Sequence, residues 1–209
     1  MKFYYPIFGL FIIFVIWQAY ERNKSSRLSK KSTEDFWQNE ADANNIRKQS
    51  LDNENYITIN EKLLINNLWH NHPEDEELIN LSTTLSSLMD KRILNLTGKT
   101  STELKFMYGV ANLNEVSTYD DNYTLMSKTI AAYGTRLMEL DNIDAAIEVF
   151  EFGIDSLTDI SSNYKHLALL YIRKNEREKI KHLIEVANSL DSLMKDNILK
   201  SLGEIYETP

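Results

Sequence analysis

Apolar positions in the last third of the chain recur at helical spacing, and the recurrence itself repeats. Ile130, Tyr133, Gly134, Leu137, Ala146, Phe150 and Gly153 are followed 34 positions later by Tyr164, Leu167, Ala168, Tyr171, Ile180, Ile184 and Ala187. That is the period of a helical hairpin that stacks on copies of itself. Gly134, Ala146, Gly153, Ala168 and Ala187 are small where helices must approach closely, and the larger members fill the spaces between layers. Ile198, Leu202 and Ile205 begin a third, partial copy, which predicts a last helix that caps the stack.

Upstream the pattern is less regular. Ser32 or Thr33 caps a helix starting near Glu34, with Phe36, Trp37, Ala41, Ala43 and Ile46 on its apolar side. From Leu51 to Asn60 the alternation Tyr56-Ile57-Thr58-Ile59 predicts an extended segment lying along helices, or a strand completed by another chain. Pro73 and the acids Glu74 to Glu77 suit the start of a helix whose face is Leu78, Leu81, Leu85, Leu88 and Met89. After Gly98, Thr100 and Glu103 form a capping box for a helix that buries Leu104, Met107, Tyr108 and Ala111. These two helices fall outside the later phase and read as a divergent N-terminal cap. The expected division is therefore an anchor at 1–22, a tether at 23–33, a divergent helical region at 34–122 with the extended segment near 51–60, and hairpin repeats with a capping helix at 123–209.

Phe3 to Tyr20 is an uncharged stretch with aromatic residues at both ends, as a short transmembrane helix requires. A cleaved signal peptide would need small residues before the cut, where Trp17, Gln18 and Ala19 stand. Arg22, Lys24, Arg27, Lys30 and Lys31 follow the span, and basic flanks stay on the cytoplasmic side. The soluble part is thus expected in the cytoplasm, with an exported orientation as the alternative.

Charge sharpens this picture. Residues 1–31 are net +5 and residues 32–209 net −13, so the body repels phosphate polymers and nucleic acid is not an expected partner. The basic stem suits lipid headgroups. The chain holds 6 Gly, 3 Pro and no Cys, which favours an all-α fold and excludes disulfides, thiolate catalysis and cysteine-based zinc sites.

Motifs for chemistry are weak. Gly98-Lys99-Thr100 has Ile93 where a phosphate-binding loop needs its first glycine. His70 and His72 beside Glu74 to Glu77 could ligate a metal, yet acids are expected at that helix start in any case. His166 and His182 are isolated, and Asn95-Leu96-Thr97 and Asn122-Tyr123-Thr124 match only the short glycosylation pattern. No residue is assigned a catalytic, cofactor-binding or metal-binding role.

Residues 127–160 and 161–194, carrying the positions given first, resemble the tetratricopeptide repeat family, and the resemblance runs from Ser127 to Tyr206. The pattern departs from the family at Ile180, where a small residue is usual, and at Thr158 and Ser192, where proline is usual. The resemblance implies a groove lined by the first helix of each hairpin, holding a peptide or a partner helix. Position by position it points to Lys128, Ala131, Thr135 and Met138, then Lys165, Leu169, Ile172 and Arg173, then Leu199 and Tyr206. The carboxylate-clamping subgroup is not matched, since Ala131 and Thr135 replace its Lys and Asn. The whole chain also resembles small uncharacterised single-span bacterial membrane proteins. The expectation is a membrane-tethered adaptor, with an exported structural or assembly factor, or an accessory metal- or nucleotide-dependent enzyme, as alternatives.

Overall fold

A computed structural model describes residues 32–61, 63 and 74–207, with isolated positions at 14, 17, 18 and 21. The expected span at Phe3 to Tyr20 lies outside these residues except for Phe14, Trp17 and Gln18, and so do His70, His72 and Pro73. Among the described residues every regular element is a helix, so the fold is all-α, and no helix is long and apolar enough to cross a membrane.

The chain divides into two units. The first holds the described residues up to Gln49 together with Ser101–Ala111. Its helices are α1, over residues 32–44, and α3, Ser101–Tyr108. Glu40 joins them, accepting from the Thr102 hydroxyl at 2.7 Å and pairing with the Lys105 ammonium. Gly109 follows α3 at φ +77, and a Cβ there would stand 2.5 Å from the Arg47 carbonyl oxygen, so the crossing of the two segments requires glycine. Ala43 and Tyr108 are buried as expected. Phe36 (54 % exposed), Trp37 (62 %) and Met107 (46 %) are not, and Ala111 is exposed as well. Phe36 and Trp37 instead pack edge to face on each other, with ring centroids 5.4 Å apart.

The second unit holds the described residues of 50–100 and 112–207. Its helices are α2 (Glu76–Leu88), α4 (Leu113–Glu139), α5 (Ile143–Asp155), α6 (Ser161–Arg173), α7 (Lys179–Ser189) and α8 (Lys195–Glu207). Leu78, Leu85 and Leu88 of α2 are buried against the common core, and Asp75 caps the helix by accepting from the Leu78 amide at 2.9 Å. The segment around Tyr56 to Ile59 is extended without forming a strand. It lies along the helices, with Ile59 buried in the core and the Ile57 amide donating to the Ile93 carbonyl at 2.9 Å. Near α4, the Leu94 amide donates to the Tyr119 carbonyl and the Leu96 amide to Asp120. The residue expected to open the repeats, 123, falls inside α4, which runs unbroken for 27 residues, about 40 Å at 1.5 Å per residue.

From α4 onward the architecture repeats. Helices α4 and α6 end at Glu139 and Arg173, and α5 and α7 at Asp155 and Ser189, each pair one full sequence period apart. The turns that close α4 and α6 repeat bond for bond. The Asn142 amide donates to Leu137 O at 2.9 Å and the Asp141 amide to Met138 O at 3.1 Å; Glu176 donates to Tyr171 O at 2.7 Å and Asn175 to Ile172 O at 3.0 Å. Asp141 and Asn175 are left-handed at φ 58 and 59, which makes both turns Schellman caps. From α4 each helix packs on the next, and α4 also meets α6 as α6 meets α8, as nearest-neighbour stacking demands.

The small residues act where they were expected to. A Cβ on Gly134 would stand 2.6 Å from Phe150 Cε1, and one on Gly153 2.9 Å from Ile130 Cγ2, so α4 and α5 approach more closely than alanine permits. At the positions where the pattern departs from the family, Thr158 is fully buried and its hydroxyl accepts from Asn163 Nδ2 at 3.1 Å, while Ser192 donates to Asp159 at 2.5 Å. Ile180 is fully buried, and α7 begins two positions late relative to the phase set by α5. At the far end, Ser201 and Glu204 of α8 stand where α6 has the buried Leu167 and Leu170, so the face on which another hairpin would pack is polar there.

Candidate functional site

Helices α4, α6 and α8 contact each other in sequence order, α4 on α6 and α6 on α8. The repeat phase places Ala131, Lys165 and Leu199 in one row, Thr135, Leu169 and Gly203 in a second, and Met138, Ile172 and Tyr206 in a third. These rows hold eight of the ten expected groove residues, Gly203 being the one newcomer; Lys128 and Arg173 flank them. Nothing lies within 4 Å of the place a Gly203 Cβ would occupy, so the middle row opens toward α8.

The members differ in what they offer. Leu169 is 44 % exposed, and the ammonium-bearing Lys128 and Lys165 are exposed too. Met138, Ile172, Leu199 and Tyr206 are partly buried and packed on the core, so they present an edge rather than a whole side chain. Arg173 is engaged by Asp141 at 2.7 Å, and Lys181 lies over the Tyr206 ring at 5.9 Å. Lys128, Ala131 and Thr135 line one depression of about 410 Å³ with Ala132, Arg136, Glu139, Glu77, Ile160 and Ser162. The α6 and α8 members of the expected groove do not line it.

Two polar details set the character of this face. The Thr135 hydroxyl donates to the Ala131 carbonyl at 2.7 Å and lies 3.4 Å from His166 Nδ1. Burial beside the Phe150 ring, reinforced by neighbouring Lys165, holds the His166 pKa below its usual value, so the imidazole is neutral at pH 7. Arg136 at the rim is neutralised by Asp75 and Glu139, at 2.7 and 2.8 Å, and Lys128 and Lys165 carry the positive charge.

Gly98 and Lys99 have a structural role. Gly98 sits at φ +83 where a Cβ would overlap the Asp191 carbonyl oxygen, and Lys99 pairs with Asp191 at 3.6 Å. His182 is exposed, 3.9 Å from Glu185. Among the described residues no cluster of three or more His, Asp or Glu is placed to hold a metal.

Sequence reasoning missed a second depression, about 360 Å³, lined by Glu151, Ile154, Asp155, Leu167, Tyr171, Lys179, His182 and Leu183 of α5, α6 and α7. Its polar members lie on three helices with no common spacing, and the repeat pattern marks only the buried side of each helix. Comparison with protein-family models, with curated protein sequences and with solved structures finds no match to this chain.

Proposed function

We propose that the chain is a membrane-anchored adaptor that holds a peptide or partner helix along α4, α6 and α8, on hairpins resembling tetratricopeptide repeats. The observation that supports this reading is the register of the helices: α4 and α6, and α5 and α7, end one sequence period apart, and eight of the ten expected groove residues fall in three rows of that same period. A surface of that kind offers an apolar centre at Leu169, edged by Ile172, Leu199 and Tyr206, with Lys128 and Lys165 beside it. The uncharged stretch Phe3 to Tyr20 and its basic flank support a bilayer anchor with the repeats on the cytoplasmic side. Anchoring would raise the concentration of a captured partner beside a membrane complex.

The test is the double variant Leu169→Asp, Lys165→Glu in the full-length chain. Both side chains are exposed, so helicity is expected to stay unchanged while partner capture is lost. Ile172 is left alone, because it packs on the core and an acid there would also unfold the hairpin. Capture that survives the double variant rejects the groove. External protease applied to intact cells carrying a C-terminal tag fixes the orientation: a protected tag supports the cytoplasmic adaptor, and a digested one favours the exported assembly factor.

A further inference from the structure

We propose that the pocket between α5, α6 and α7 receives a lysine or arginine side chain from a partner polypeptide. This is a second contact, separate from the rows on α4, α6 and α8. Its floor is apolar, made by Ile154, Leu167 and Leu183, all buried. Its rim carries the carboxylates Glu151 and Asp155, one turn apart on α5. Glu151 is held in place by the Tyr171 hydroxyl, which donates to it at 2.7 Å.

The protein supplies its own demonstration that this wall accepts a cation. The Lys179 ammonium lies 5.1 Å from the centroid of the Tyr171 ring, with its charge matched by Glu176 at 2.7 Å. Among the described residues neither Glu151 nor Asp155 forms a close ion pair, and the Lys179 ammonium reaches Glu151 only through longer-range attraction. A neighbouring depression of about 270 Å³, lined by Asn60, Leu63, Glu148 and Phe152, shares the same two carboxylates. The two carboxylates therefore line both hollows.

Other occupants fit less well. Phosphate or nucleic acid would meet two carboxylates on a body of net −13. A wholly apolar ligand would strip water from Glu151 and Asp155 with nothing in return. A lysine or arginine lays its aliphatic stem on the apolar floor and its charged head against the rim. The volume, about 360 Å³, stands at the low end of ligand pockets, which run from about 300 Å³ upward, and suits a side chain better than a cofactor.

The experiment measures binding of a short fluorescent peptide of alternating arginine and alanine to the full-length chain in detergent micelles. Glu151→Gln with Asp155→Asn should weaken binding about tenfold, the scale of one charge-assisted hydrogen bond lost at a partly exposed rim. Asp196→Asn with Glu207→Gln removes the same net charge from α8 and should change binding less than about twofold. Lys179→Ala removes the resident ammonium and should strengthen it. Equal weakening by the two double variants would show attraction to net charge alone and overturn the proposal, as would no binding to the unaltered chain. Should the Glu151 change unfold the hairpin, Asp155→Asn alone decides, with circular dichroism as the check on folding.

Discussion

Asp75 ties the first turn of α2 to the last turn of α4: one carboxylate oxygen accepts from the Leu78 amide at 2.9 Å, and the other meets Arg136 Nε at 2.9 Å and Nη2 at 2.7 Å. The Asp75 side chain is 7 % exposed and that of Arg136 30 %, so salt screens the pair less than it would a fully exposed one. Those hydrogen bonds, with that to Glu139, raise the Arg136 pKa further above its ordinary range and keep the guanidinium charged at every accessible pH. Asp75→Ala should cost about 1 kcal/mol through the lost cap, while Arg136 keeps its pairing with Glu139 at 2.8 Å. Urea denaturation should show Asp75→Asn retaining part of the cap and losing less than the alanine.

Gly134→Ala should destabilise the chain although alanine is the better helix former. The gain from propensity is about 1 kcal/mol, while the added methyl meets the fully buried Phe150 ring at 2.6 Å, and overpacking costs about 1–3 kcal/mol. Phe150→Leu should be harmful alone and partly compensating in the Gly134→Ala background. A double-mutant cycle from thermal unfolding measures that coupling.

Leu157→Gly should stabilise the chain by roughly 0.5–1 kcal/mol, by relieving left-handed strain of about 1–2 kcal/mol less the backbone entropy that glycine adds. Leu157 is at φ 56 in the turn that closes α5, and its side chain is exposed, so little packing is lost. The equivalent turns of α4 and α6 use Asp141 and Asn175, residue types that accept this conformation. Asn175→Gly should therefore give a smaller gain in the same melting experiment.

Stability should fall as pH rises above 10. Burial pushes the Tyr123 pKa up to about 12 from its ordinary value of 10.0, and burial also raises Tyr164 and Tyr171. A raised folded pKa means that the unfolded chain releases its proton first, so stability is intact below pH 10 and is lost as pH climbs toward about 12. Tyr123 donates to Leu157 O at 2.9 Å and accepts from Asn95 at 2.8 Å, whereas the Tyr164 hydroxyl is buried with no hydrogen-bond partner among the described residues. Tyr164→Phe should therefore be neutral or stabilising, and Tyr123→Phe should cost about 1 kcal/mol. Tyrosinate absorbance and ellipticity followed together against pH test both statements.

The repeat was legible because stacking hairpins places the same demand on equivalent residues. Gly134 and Ala168 must be small, and Ile130 and Tyr164 must be buried, in each copy. Amphipathic spacing failed at Phe36, Trp37 and Met107, where one helical turn of apolar residues does not say whether another element covers it. The Asp75–Arg136 pair and the pocket at Glu151 and Tyr171 were invisible for another reason. Their members are 61 and 20 residues apart, and only the packing of α2 on α4 and of α5 on α6 brings them together.

The most direct test of the adaptor account is a photo-crosslinking side chain placed in the full-length protein in cells, once at Leu169 and once at Lys200, which is exposed on α8 outside the three rows. The account predicts one discrete adduct from Leu169 that is absent from Lys200 and disappears with Lys165→Glu. The same adducts from both positions, or none from Leu169, would contradict it.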